Sequence, residues 1–369
     1  MATVHRSSGF IALPARALWD VLLDLERLPQ WQPFVTSAPL RDPVALGARL
    51  DWVPDLRAAW VHRRFAAPAV VTEFATERAL AVTQAEPGGI TTLRWTLRPA
   101  AGGTVVEQAV TSSGASGPFF DRLVARRFAA DADTALARWA MLAGPPRAAE
   151  PLNVVIAGGT GALGRRVAAD FVRRGHDVTI LTRSIRRDLP FAQVAWDGRT
   201  VGAWEALLDA PNTAVINLAG KLVDCRPTAA NIAALTASRV DATRALVAAA
   251  RGKGVRRWVQ ASTTAIWSDA GERWCTEDTP VPEPGLPQMT GVARPWEEAA
   301  ADAETEHMTV LRTSIVLDTD SPAMAKMVGV TRAFLGGSLG DGRQWFSWIH
   351  RDDWLAIVRA GLGIEPGVD

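Results

Sequence analysis

The chain has 369 residues, 48% hydrophobic and 21% charged, which excludes a disordered protein and is too long for one typical domain but suits two. A formal net charge of +1 gives no electrostatic reason for nucleic acid or an anionic membrane as partner. Cys225 and Cys275 form no C-x-x-C, the five histidines form no H-E-x-x-H, and neither a secretory h-region nor a bilayer-length apolar run occurs, so no disulfide or metal site is expected and the cytoplasm is the simplest setting.

In chain order, Leu18, Val21, Leu22, Leu25 and Leu28 recur at helical spacing, which predicts a helix over 14–28 with Pro14 in its first turn. Pro29 and Pro33 are expected to end it. Strand-like segments follow, the clearest being Thr92–Arg98, where Leu93, Trp95 and Leu97 share one face. Pro87-Gly88-Gly89 before it and Ala101-Gly102-Gly103 after it predict an antiparallel meander, with 104–111 as the next strand. A long amphipathic helix is predicted from about Gly117 to Leu142, with Phe120, Leu123, Val124, Phe128, Leu136 and Trp139 on its apolar side. Gly144–Pro151 is a linker by composition, which divides the chain into a domain over 1–143, a linker over 144–151 and a domain over 152–369.

One short helix, a run of antiparallel strands and a long C-terminal helix resemble the START-like polyketide cyclase superfamily. The phrases Ile11–Asp20 and Gly103–Gln108 are similar to that family's opening helix and late strand. The resemblance implies an α+β helix-grip fold whose sheet wraps the long helix, and a hydrophobic small-molecule ligand, sometimes without catalysis. The apolar residues equally suit a filled core, and no catalytic residue is named in this half.

Beyond the linker, Val154–Ala157 is an apolar run suited to a buried parallel strand, and Gly158, Gly161 and Gly164 follow at G-x-x-G-x-x-G spacing before a helix. Glycine lets the backbone turn tightly and approach a pyrophosphate, while the helix start offers N–H groups to it. Thr160, Ala162 and Leu163 belong to the same turn. Helix and strand then alternate: Arg174-Gly175-His176 ends the first helix, 178–181 is the second strand, Val194–Asp197 the third, 214–217 the fourth and 255–261 the fifth. Arg183, 19 residues after Gly164, stands where an NAD-selective site usually carries a carboxylate, so NADP(H) is preferred over NAD(H), with Arg186 and Arg187 as other candidates for the 2′-phosphate. Asp197 can accept from an adenine amine, and Ala219 and Gly220 let backbone approach the cofactor. Ser262 lies on the carboxyl edge of the sheet, where open α/β sheets place ligands.

These segments resemble the extended short-chain dehydrogenase/reductase superfamily, and within it the atypical epimerase-like group. The phrases are Gly158–Gly164, Leu181–Ser184, Asn217–Gly220, Ser238-Arg239-Val240, Leu311-Arg312-Thr313 and Gly340–Asp353. The resemblance implies a Rossmann-type doubly wound parallel sheet, cofactor contacts at the glycine turn, Arg183, Asp197, Leu218, Ala219, Gly220 and Arg239, and Arg343, Gln344 and Ser347 on the substrate side. Trp345, Phe346 and Trp348 suit either that side or the core. His350, before a helix, reads as structural.

The superfamily's Tyr-x-x-x-Lys pair cannot exist here, because the chain contains no tyrosine. In that region it reads Gly291–Glu298, with Ala293 at the proton-transfer position and Glu297 at the lysine position. Ser262 and Glu297 are left as the catalytic candidates. Members of the group usually continue beyond the length seen here, so a shortened substrate lobe or a fragment is expected. Three readings stay open: an NADP(H)-dependent oxidoreductase or epimerase-like enzyme on a hydrophobic substrate, a non-catalytic sensor of cofactor and hydrophobic ligand, or a protein whose first domain is its only catalyst.

Overall fold

The computed structural model describes residues 2–55, 67–318, 321–337 and 341–364. Its contacts divide the chain into two units. The first is Met1–Pro151 with Ala169–His176 and Asp188–Pro190; the second is Leu152–Ala168, Asp177–Arg187 and Phe191–Asp369.

In the first unit the order is β1 (Thr3–Ile11), α1 (Ala15–Leu23), α2 (Leu28–Trp31), β2 (Val35–Ser37), β3 (Arg49–Leu50), β4 (Val53–Pro54), β5 (Ala69–Ala75), β6 (Ala79–Glu86), β7 (Gly89–Ala100) and β8 (Gly103–Gly114). Then come α3 (Gly117–Phe120), a π-helical turn (Asp121–Ala125), α4 (Arg126–Ala130) and α5 (Ala132–Ala143). The sheet runs β1-β8-β7-β6-β5-β3 and is antiparallel throughout, as the turn glycines indicated. Gly88 and Gly102 both take φ +74°, open to glycine at little cost, and so tighten the two hairpins of the meander.

Two helices depart from the expected outline. The first stops at Leu23, and Pro29 sits in the opening turn of α2, where a missing N–H is no loss. The long helix is a composite, widened by the π-turn and interrupted at Asp131, whose φ of −91° and ψ of 5° leave the helical region. Its apolar stripe survives both breaks: Val124, Phe128, Leu136 and Trp139 are fully buried. Against them the sheet presents Leu93, Trp95 and Leu97. Trp31 stacks on Trp139 at 4.8 Å and meets Trp95 edge-on at 5.8 Å, while Trp139 Nε1 donates to the Leu18 carbonyl at 3.1 Å.

The second unit begins with β9 (Asn153–Ala157), the part of α6 (Ala162–Arg173) up to Ala168, β10 (Asp177–Thr182), β11 (Ala192–Ala195), β12 (Thr213–Asn217) and α7 (Ala229–Ala250). It continues with β13 (Val255–Thr263), α8 (Thr290–Glu298), β14 (Thr305–Thr313), β15 (Ile315–Leu317), α9 (Pro322–Arg332), β16 (Trp348–His350) and α10 (Arg351–Gly361). The sheet order β11-β10-β9-β12-β13-β14 is parallel throughout, with the chain reversing direction across the sheet between β9 and β12. That is a doubly wound sheet, whose ligand crevice opens at the switch point. Asp197 falls outside the third strand, which ends at Ala195. Trp345, Phe346 and Trp348 are 78%, 47% and 56% exposed and so are not core. His350 Nδ1 accepts from the Asp352 N–H at 3.2 Å and caps α10, the structural role expected of it. Among the described residues no helix is long and apolar enough to cross a membrane.

Trp139 anchors the first unit through both its ring and its indole N–H. Trp139→Ala is expected to destabilise the protein by about 3–5 kcal/mol in urea unfolding, whereas Met141→Ala, on the exposed side of the same helix, stays within about 0.5 kcal/mol.

Candidate functional site

The glycine turn is built by close backbone approach. Gly158 follows β9 at φ +78°, and a Cβ there would lie 2.7 Å from the Leu218 carbonyl oxygen. A Cβ on Gly164 would lie 2.5 Å from the Gly158 carbonyl oxygen, and one on Gly159 2.7 Å from the Ile180 side chain. Gly159, which the G-x-x-G-x-x-G spacing passes over, is thus as constrained as its neighbours. Gly161 donates to the Gly158 carbonyl at 3.1 Å, and Gly161 and Ala162 are exposed where α6 begins, with Thr160 and Leu163 half-buried beside them. The N–H groups at that helix start suit an anion.

Facing this turn is the exit of β12. Asn217 is fully buried, and its amide donates to Thr243 Oγ1 at 2.9 Å and to Gln260 Oε1 at 3.0 Å. Its Oδ1 accepts from the Ala219 N–H at 3.1 Å, which fixes the path of Leu218, Ala219 and Gly220. Asn217 is a positioning residue that sequence reading missed. Its signal was a polar amide inside the apolar run Ala214–Leu218.

Thr182 Oγ1, 3.2 Å from Thr160 Oγ1, donates to the Ser184 carbonyl at 3.0 Å and accepts from the Ser184 N–H at 3.2 Å. This closes the turn that carries Arg183, whose side chain is exposed at the end of β10. The Arg186 backbone is tied to the Gln193 amide at 2.9 and 2.7 Å. Asp197 is exposed and bonded locally: its carboxylate accepts from the N–H groups of Arg199 and Thr200 at 2.8 and 2.9 Å and from Thr200 Oγ1 at 2.8 Å. The Thr200 and Arg199 N–H groups hold the Asp197 carboxyl below its usual value.

Arg239 lies beside Gly220, where an added Cβ would sit 3.1 Å from the guanidinium carbon. The guanidinium lies 5.0 Å over the Trp296 ring and donates to the Leu235 carbonyl at 3.1 Å, with no carboxylate partner among the described residues. Burial lowers its pKa from the ordinary value. Trp296 Nε1 is buried and finds no acceptor among the described residues. A desolvated cation and an orphaned donor at one edge of the sheet form an anion-accepting surface.

Ser262 and Glu297 are brought together. Ser262, 5% exposed near the end of β13, donates its hydroxyl to Glu297 Oε1. Glu297 is held in turn by Arg312, whose Nε donates to Oε1 at 3.0 Å and Nη2 to Oε2 at 2.9 Å. Arg312 stands directly beside Ser262 in the parallel register of β13 and β14. Its guanidinium lies 5.1 Å over the Trp267 ring and donates to the Glu277 carbonyl at 3.2 Å. The bidentate bond to Glu297 raises the Arg312 pKa above its ordinary value. Glu297 is therefore neither a solvated helix carboxylate nor a lone acid: it accepts from Ser262 and from both ends of the Arg312 fork. Arg312 was legible only as a family phrase, although it too ends a parallel strand on the ligand edge.

Ala293 is fully buried against Ile266 and Trp267, with Cys275 packed on the same cluster. Arg343, Gln344 and Ser347 are exposed, in the segment between α9 and β16. Arg343 N–H donates to Asp341 Oδ1 at 3.0 Å, and the Ser347 carbonyl accepts from Ile315 at 3.3 Å. Gly340 lies outside the described residues. Among the described residues no cluster of three or more His, Cys, Asp or Glu side chains could hold a metal ion.

Comparison with known proteins bears on both units. Residues 1–144 match the family described as polyketide cyclase / dehydrase and lipid transport. The epimerase family protein SDR39U1 homolog of Arabidopsis thaliana chloroplasts is 29% identical over 222 residues, covering 57% of this chain and 62% of that protein. The epimerase family protein YfhF of Bacillus subtilis is 29% identical over 214 residues, covering 56% of this chain and 69% of that protein. The chain therefore spans less than two thirds of the chloroplast relative. A crystal structure of a nucleoside-diphosphate sugar epimerase from Corynebacterium glutamicum shares the fold, with a TM-score of 0.55 and 23% identity, over 97% of this chain and 75% of that one. Residues 154–362, more than half of the chain, match the NAD dependent epimerase/dehydratase family, to which the protein belongs.

Proposed function

We propose that the protein is an NADP(H)-dependent oxidoreductase or epimerase-like enzyme acting on a small, hydrophobic substrate in the cytoplasm. The observation that carries this reading is the Ser262–Glu297–Arg312 cluster on the same sheet edge as the glycine turn. The dinucleotide, when bound, supplies hydride transfer. The residues present suit it: the N–H groups from Gly158 to Gly164 for the pyrophosphate, Arg183 for the 2′-phosphate, and the Leu218–Gly220 backbone and Asp197 for the adenosine half. Arg239, a desolvated cation without a carboxylate, is suited to a second phosphate contact.

Ser262 and Glu297 replace the absent tyrosine in this reading. Because Ser262 gives its proton to Glu297, its oxygen lone pairs face outward and can accept a substrate hydroxyl. As that hydroxyl ionises, its proton passes to Ser262 Oγ while the Ser262 proton passes to Glu297; the reverse transfers protonate a reduced carbonyl. Arg312 keeps Glu297 oriented toward Ser262. Arg343, Gln344 and Ser347 belong to this substrate side. A non-catalytic sensor of cofactor and hydrophobic ligand is the second reading, favoured by one observation: the position of the usual proton donor is Ala293, sealed in a core cluster. In either reading the first unit holds a small hydrophobic molecule.

Titration of the purified protein by energy transfer from tryptophan to reduced nicotinamide tests the cofactor assignment. Micromolar NADPH binding with weaker NADH binding is expected. Arg183→Asp should cut NADPH affinity about 10–100-fold and leave NADH nearly unchanged. Arg239→Leu should weaken both dinucleotides to a similar degree, about tenfold or more. For catalysis, Glu297→Gln is expected to lower turnover about 100- to 10,000-fold with cofactor affinity intact; unchanged turnover would remove Glu297 from the mechanism.

A further inference from the structure

Among the charged groups that the proposed chemistry leaves unused, one set is buried in the second unit. Arg166 lies in the second turn of α6 and Asp318 just beyond β15, and each is only 8% exposed. Arg166 Nε donates to Asp318 Oδ2 at 3.0 Å, although 152 positions separate the two in sequence. The other carboxylate oxygen, Oδ1, accepts from Arg351 Nη1 at 3.4 Å. Arg351 opens α10, and its Nε donates to Asp352 Oδ1 at 2.9 Å.

The two-stranded parallel sheet brings the last pair together. Leu317 stands level with His350 across β15 and β16, so the next residues, Asp318 and Arg351, leave their strands side by side. One carboxylate thereby touches both ends of the proposed site. Arg166 follows directly on Gly158–Gly164, the turn whose N–H groups suit the pyrophosphate. Arg351 follows directly on β16, which continues from Arg343, Gln344 and Ser347.

The early part of α6 also packs through Val167 and Ala168, both fully buried. Apolar contact is non-directional and leaves a helix some freedom to roll about its axis. A charge-assisted hydrogen bond has a direction, and a buried charge that loses its partner is strongly penalised. The N–H groups of the glycine turn meet an anion at hydrogen-bond length, so the roll of α6 sets their aim.

We infer that Asp318 is a positioning residue that couples the dinucleotide turn to the substrate segment 341–347. Through Arg166 it holds α6 in the roll that suits the dinucleotide. Through Arg351 it ties that roll to β16 and the residues before it, so each side strengthens the other. The inference rests on the reading that the second unit binds a dinucleotide, and adds an internal linkage to it.

The test uses the full chain, NADPH and NADH titrations, and limited trypsin digestion read by mass spectrometry at the exposed Arg343. In the unaltered protein, saturating NADPH is expected to slow cleavage after Arg343 about fivefold or more. Asp318→Asn should weaken both dinucleotides about tenfold and abolish that protection. Because it strands Arg166 in the interior, the double variant Arg166→Met with Asp318→Leu replaces the pair by apolar groups that keep the fold. It should show the same tenfold loss with Tm within a few degrees, a combination that a merely structural pair does not give. Arg351→Met cuts only the second link: NADPH affinity should stay within about twofold while protection disappears. Unaltered affinity in the double variant, or full protection in Arg351→Met, overturns the inference. So does NADPH binding that leaves cleavage at Arg343 unchanged in the unaltered protein, and the dinucleotide reading then stands alone. If neither NADPH nor NADH binds the unaltered protein, both fall together.

Discussion

The second unit depends on the contact between two strand exits. β9 and β12 end side by side, and the backbone of Gly158 lies against the Leu218 carbonyl so closely that one methyl group would collide with it. That approach requires a left-handed glycine on one side and a fixed carbonyl on the other. The buried Asn217 amide supplies the second by holding the Ala219 N–H while bonding to the neighbouring helix and strand. The crevice at the switch point is therefore set by backbone, and the side chains around it, Arg183 and Arg239 among them, are mounted on a rigid frame.

The first unit is organised differently. Its sheet and broken helix are held together by aromatic rings, with Trp31, Trp95, Trp139 and Phe128 in mutual contact. Such packing is indifferent to the regularity of the helix. Val124, Phe128 and Trp139 are all buried although the first lies in a π-helical turn and a break at Asp131 separates the other two, and this is why a periodic stripe in the sequence predicted one helix where the backbone has several pieces. Periodicity reports which residues face inward, not where the hydrogen-bond ladder breaks.

The same distinction governs what could be read in advance. Strands β9, β10, β12 and β13, the glycine turn and the meander were legible because each depends on residues adjacent in sequence. Ser262 and Glu297 were named, but not their bond, since they lie on different elements. Arg312 appeared only within a family phrase and was given no role, because its meaning arises only when the outermost parallel strand is laid beside β13 in register. Trp345, Phe346 and Trp348 suited either the core or the substrate side by sequence, and the chain exposes them. The bonds of Asp197 to its own loop were likewise not legible, since they depend on the turn after β11.

Loss of the tyrosine would ordinarily end proton transfer in this kind of site. Here Ala293 packs in a buried cluster with Ile266 and Trp267, and the carboxylate of Glu297, one helical turn further on, is clamped by Arg312. That clamp comes from β14, the edge strand of the sheet among the described residues. Edge strands open at lower free energy than the strands they flank. Fraying of β14 would withdraw Arg312 from Glu297 while the glycine turn and central strands stay intact. In the catalytic reading proposed above, loss of the relay by heat or denaturant would then precede the cooperative unfolding of the sheet, leaving a species whose glycine turn and central strands are still folded.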